Sequence, residues 1–180
     1  MGRARFLPIV LTAASFAVAL GVVLWTPPVE GQRGLRGQIF IVQARIPRGL
    51  SERGLIGFGR SHRVRTFQET TSQPIPERRW QGEMITAFNR SPGDLEFHVL
   101  FYDVEGGARR FVQDMSTFIS DRSQKTFLQR LRLPRGHGRH EGFQPNHDME
   151  VVVTVRHQEV GKTRLRFGGE EIAHTGRVDF

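Results

Sequence analysis

Residues 148–167 constrain the fold of this chain more than any other stretch. Met149, Val151, Val153, Val155 and His157 alternate with Glu150, Val152, Thr154 and Arg156. After an interruption at residues 158–162, Thr163, Leu165 and Phe167 alternate with Arg164 and Arg166. Successive side chains of an extended strand point to opposite faces, so a period of two marks strands with one apolar face. Two such runs around a short break predict an antiparallel hairpin. Its Val/Met face should meet a core, and its arginine face should meet solvent or a ligand. Gly161 falls in the interruption and reads as part of the turn. Gly161-Lys162-Thr163 resembles the end of a phosphate-binding loop, but Arg156 stands where that loop needs its first glycine.

The same period recurs upstream. Residues 38–46 alternate apolar residues on both faces, which suits a buried strand closed by Pro47. Residues 61–71 form a polar strand candidate. Residues 80–90 place Trp80, Met84 and Phe88 on one face, and Ser91-Pro92-Gly93-Asp94 is a strong turn. In residues 95–104, Leu95, Phe97, Val99 and Phe101 share a face, while His98, Leu100 and Tyr102 predict a second face that is partly covered. Residues 109–119 carry Phe111, Met115 and Phe118 at helical spacing. The glycine pair Gly106-Gly107 and the later turn at 120–123 favour a strand in a meander. Residues 126–133 are a further strand ended by Pro134, and residues 172–180 are a last one. The glycine-rich stretch 48–59 reads as a packed loop with a helical turn starting at Ser51, and 135–146 as a long polar loop.

Eight or nine short strands with frequent turn signals and no long helical pattern argue against a doubly wound α/β fold. The expected architecture is all-β: an antiparallel immunoglobulin-like β-sandwich spanning 38–180, with a jelly roll or open barrel as second choice.

Ahead of it, Arg3 and Arg5 precede an apolar run from Phe6 to Trp25. A run of this length, ~20 residues, suffices to cross a bilayer as one hydrophobic helix, and the flanking arginines favour a cytoplasmic N-terminus. Residues 1–25 therefore read as a signal anchor, with 26–37 as a linker. The competing reading is a signal peptide cut after Ala17-Val18-Ala19, which would release a secreted domain. Continuation of the apolar run beyond Ala19 favours the anchor. The expected location is the cytoplasmic membrane, single-pass, with the C-terminal domain on the periplasmic side.

Composition removes several classes of chemistry. The absence of cysteine excludes disulfides, thiolate metal sites and a cysteine nucleophile. The net charge of +8 invites a nucleic-acid reading, but the basic residues are spread along the chain, and Lys125 and Lys162 are its only lysines. A nucleic-acid surface concentrates its cations, so no nucleic-acid partner is expected. No Gly-x-Ser-x-Gly elbow is present, and enzymatic activity is not expected.

Two clusters remain as candidate sites. His137, His140 and His147 lie close together with Glu141 and Asp148. Neutral imidazole is a common ligand of Zn or Cu, although the spacing matches no closed metal motif. The arginine doublets Arg63/Arg65, Arg130/Arg132 and Arg164/Arg166 each put two guanidinium groups on one strand face. Doublets sharing a sheet would form a surface for phosphate or carboxylate groups. The expected function is a binding or assembly module for an envelope protein or anionic polymer. Metal binding through the histidine loop is the alternative, and an enzyme without a recognisable motif is a further one.

Overall fold

Alternation becomes eight strands in the computed structural model, which describes residues 34–136 and 141–171. They are β1 (Gly37–Val42), β2 (Thr66–Gln68), β3 (Arg79–Phe88), β4 (Glu96–Asp103), β5 (Arg110–Phe118), β6 (Thr126–Pro134), β7 (Asp148–Val155) and β8 (Gln158–Gly168). A helix, α1 (Glu52–His62), and a single 3₁₀ turn (Ile75–Glu77) complete the described elements. The strands form two sheets, in the orders β1-β3-β6 and β2-β8-β7-β4-β5. All neighbours are antiparallel except β2 and β8, which run parallel, Thr66 beside Arg166 and Phe67 beside Phe167. The architecture is an all-β sandwich.

The core lies between the sheets. Phe88, Phe97 and Phe127 meet edge to face, with centroids 5.2–5.8 Å apart. Phe67, Trp80, Phe143 and Phe167 form a second aromatic group, in which Phe143 stacks on Phe167 at 5.4 Å. The buried indole of Trp80 donates to the Gly168 carbonyl at 2.9 Å, so its one polar atom is not stranded. Burying each such large side chain contributes about 1.5–3 kcal/mol. Val151, Val153, Val155 and Met149 enter this core from β7, as the alternation predicts.

The hairpin turn differs from its expected place. β8 begins at Gln158, and the turn is the pair Arg156-His157, with φ of 50° and 62°. Positive φ at both central residues is the geometry that matches the twist of paired strands. Gly161 instead lies within β8, opposite Val153. A Cβ there would press into the Gly37 carbonyl and lie 2.9 Å from its carbon. The glycine is required because β1 crosses β8 at that point, not because the chain turns.

The stretch read as a glycine-rich loop is a helix of eleven residues. Ser51 caps it, its Oγ accepting from the Gly54 amide at 3.2 Å, so the expected start is correct and the expected extent too short. Gly54, Gly57 and Gly59 each weaken a helix by about 1 kcal/mol relative to alanine, which masked the pattern. Gly59 is buried because α1 packs on the outside of the three-stranded sheet. An added Cβ would sit 3.0 Å from Phe40 and Ile85. The helix takes Ser61 and His62 from the strand expected at 61–71, and the remainder forms only the short β2 with isolated bridges at Arg63 and Glu69. Strand β1 stops at Val42, short of the expected 46, where Gln43 turns its amide to Gln68: its Nε2 donates to the Gln68 carbonyl and its Oε1 accepts from the Gln68 amide. The expected helix at 1–25 and strand at 172–180 lie outside the described residues. Among the described residues, no helix is long and apolar enough to cross a membrane.

Candidate binding surfaces

The edges of a sandwich are where its backbone is unpaired, and three of the four here are blunted. β2 is three residues long. β1 lies against β8 and is bridged through Val42 to Arg63. β6 carries Arg130, Arg132 and Pro134. Short length, charge and proline all discourage a further strand from pairing. β5 has fewer of these protections. Its charged residues are engaged within its own sheet: Arg110 donates to Asp103 at 2.7 Å, and Asp114 lies 3.0 Å from His98 Nδ1.

β5 also exposes two aromatic side chains, Phe111 at 56% and Phe118 at 76%. Their positions differ by an odd number, so strict alternation would set them on opposite faces. A register shift at Phe101/Tyr102 leaves Val112 as an extra residue, which puts Phe111 opposite Tyr102 and Phe118 opposite Glu96. Tyr102 and Glu96 alternate with the buried Phe97, Val99 and Phe101, so both phenylalanines lie on the outer face. Leu95, also exposed, directly precedes β4 and accepts from the Ile119 amide at its carbonyl. In the sequence Phe111 and Phe118 fall, with Met115, at helical spacing on a stretch expected to be a strand. Their opposite parity on one short strand was the available signal.

The outer face of the five-stranded sheet is electrostatically matched. The Glu150 side chain is 1% exposed although it lies on that face. Arg109 and Arg164 close over it, Arg164 Nε donating at 2.8 Å. Arg109 also stands over the Tyr102 ring, 5.5 Å from its centroid. Burial pushes the Glu150 carboxyl up, but the hydrogen bonds from Arg164 and Arg109 outweigh it and hold the pKa below its ordinary value. Asp103 behaves alike: burial raises its pKa, and donation from Arg110, His147 and the Glu105 amide lowers it further than burial raises it.

The three arginine doublets do not lie together. Arg63/Arg65 and Arg164/Arg166 come side by side, since the Arg166 amide donates to the Arg65 carbonyl at 2.9 Å. Arg130/Arg132 belong to the other sheet, opposite Glu83 and Gln81. Arg166 pairs with Asp148 at 3.3 Å and Arg164 with Glu150, so those two cations are largely compensated. Arg63, Arg65 and Arg132 have no acidic partner among the described residues.

Two concavities adjoin these groups. An open groove of about 610 Å³ beside β6 is lined by Arg45, Arg48 and Arg130 with Leu50, Leu55 and Leu128. A smaller pocket of about 300 Å³ opens at the seam between β1 and β8 under Arg63 and Arg65.

Of the candidate metal ligands, His137 and His140 lie outside the described residues. His147 Nδ1 is 2.8 Å from Asp103 Oδ2. Among the described residues, no group of three or more histidine and carboxylate side chains is arranged to hold a metal ion. No protein-family model matches the chain. Comparison of the sequence with curated proteins gives no match either.

Proposed function

We propose that this chain is a membrane-tethered, extracytoplasmic binding or assembly module that docks an extended segment of an envelope protein along β5. The observation that carries the reading is the β5 edge itself. Among the described residues it has no strand on its outer side, its own charges are satisfied within the sheet, and it shows two exposed phenylalanines on one face. Strand addition uses these properties: the backbone supplies pairing, and alternate side chains supply selectivity. Exposed aromatic rings at a bare edge are otherwise an aggregation hazard, which natural sheets avoid.

An immunoglobulin-like classification fits this role. It is supported by the chain switching sheets between β3 and β4 and again between β6 and β7, and by a first strand divided into β1 and β2, which serve opposite sheets. The tether and the periplasmic placement rest on the apolar run at 6–25 and its flanking arginines.

The test is recovery of partners from native membranes with the full chain as bait, compared with a Phe111→Ser/Phe118→Ser variant. Both positions are exposed, so the variant should match the wild type in thermal stability. A specific protein captured by the wild type and reduced about tenfold or more with the variant supports the reading. Equal recovery by both chains, or recovery of no specific protein, overturns it.

A further inference from the structure

The seam between the sheets contains a pocket distinct from the β5 edge. Near one end, Gly37 and Gly161 bring β1 and β8 into backbone contact. At the other, Val42 bridges to Arg63, and the Val64 amide donates to the Ile41 carbonyl at 2.8 Å. Residues 63–65 thus leave the three-stranded sheet and enter the five-stranded one across the gap. The pocket of about 300 Å³ lies in that gap. Ile39, Ile41 and Leu165 line it from the core side, and Arg63, Arg65 and Arg164 line it from the surface side.

The chemistry of this lining is divided. The apolar residues belong to the hydrophobic core, so a group reaching them must be uncharged. Arg164 already compensates Glu150, but Arg63 and Arg65 have no carboxylate partner among the described residues. Two uncompensated guanidinium groups on one short segment favour an oxyanion, which they can bind with charge-assisted hydrogen bonds. The volume is at the lower limit for ligand pockets, about 300–1,000 Å³.

We propose that the seam pocket binds a small amphiphilic oxyanion, a phosphate or carboxylate carrying a short alkyl chain. Its head is held by Arg63 and Arg65, and its first carbons lie against Ile39, Ile41 and Leu165. The convergence of Arg63/Arg65 with Arg164 around an apolar floor is what distinguishes this place from the groove at β6, whose lining is open and exposed.

Titration of the full chain with hexyl phosphate and with hexanoate, followed by backbone amide NMR, tests the site and distinguishes the two head groups. Inorganic phosphate and hexanol serve as the head-only and tail-only probes. Saturable shifts centred on residues 63–66 and 163–165 are expected with at least one amphiphile, and each partial probe should bind about tenfold more weakly or worse. Arg63→Ala/Arg65→Ala should weaken binding about tenfold or more, whereas Arg130→Ala/Arg132→Ala should leave it unchanged. No saturable shift up to about 10 mM, shifts centred elsewhere, or equal binding by the Arg63→Ala/Arg65→Ala chain would overturn the proposal.

Discussion

Replacing Arg135 by methionine should unfold this domain more readily than any surface change. The Arg135 and Glu69 side chains are 6% and 3% exposed, with Nη1 at 2.9 Å from Oε1 and 3.2 Å from Oε2. Arg135 also donates to the Glu170 carbonyl, while the Glu170 amide donates to Glu69 at 3.3 Å. Without the guanidinium, the carboxylate keeps only that long amide contact among the described residues. Removing one member of a buried pair costs about 3–5 kcal/mol, because the remaining charge is uncompensated. For a domain of this size the Tm should fall by roughly 10–20 °C. Urea unfolding of the full chain, followed by circular dichroism, measures the loss. A Glu69→Leu/Arg135→Met chain removes both charges and should recover most of the loss. A single variant weakened by less than about 1 kcal/mol, or a double variant no better than the single one, would refute the assignment of this pair as a coupled buried unit.

Three further perturbations probe other parts of the fold. Gly161→Ala should cost about 1–3 kcal/mol, read from chemical denaturation, because its methyl group must push β8 away from the Gly37 backbone. Ser51→Ala should cost about 1 kcal/mol by removing the N-cap of α1, and the same denaturation midpoint reports it. Glu150 and Asp103 both have lowered pKa values in the folded chain. Their stabilising contribution is therefore complete above the unfolded carboxylate range and is lost as pH falls through the folded values. Stability measured from neutral pH downward should fall below about pH 4, and less steeply in a Glu150→Gln variant.

Much of the sandwich is legible in the sequence because its strands have one apolar and one polar face. The run from Met149 to Val155 shows its core face directly, although Glu150, Val152 and Thr154 on its other face are buried as well, and β4 shows its partly covered second face through His98, Leu100 and Tyr102. Two features are concealed by glycine. In α1, Gly54, Gly57 and Gly59 lower local helix propensity, yet Gly59 is what lets the helix approach Phe40 and Ile85. At Gly161 the residue type suggests a turn, while its reason is a close crossing with a strand more than a hundred residues earlier. That contact exists only in three dimensions. The bare β5 edge is hidden for a related reason. Whether a strand is central or at an edge depends on sheet order, and the exposure of Phe111 depends on the extra residue at Val112. The arginine doublets are visible one by one, but their division between two sheets is a property of the topology.

Site-specific photocrosslinking tests partner docking at β5 most directly. A photoreactive residue replacing Ser116, which lies between Phe111 and Phe118 on the exposed strand, is compared in native membranes with one replacing Arg132 on the arginine-bearing edge of β6. A discrete crosslinked product from position 116 and none from position 132, abolished by Phe111→Ser/Phe118→Ser, is the predicted result. The same product from both positions, or none from position 116, would contradict docking along β5.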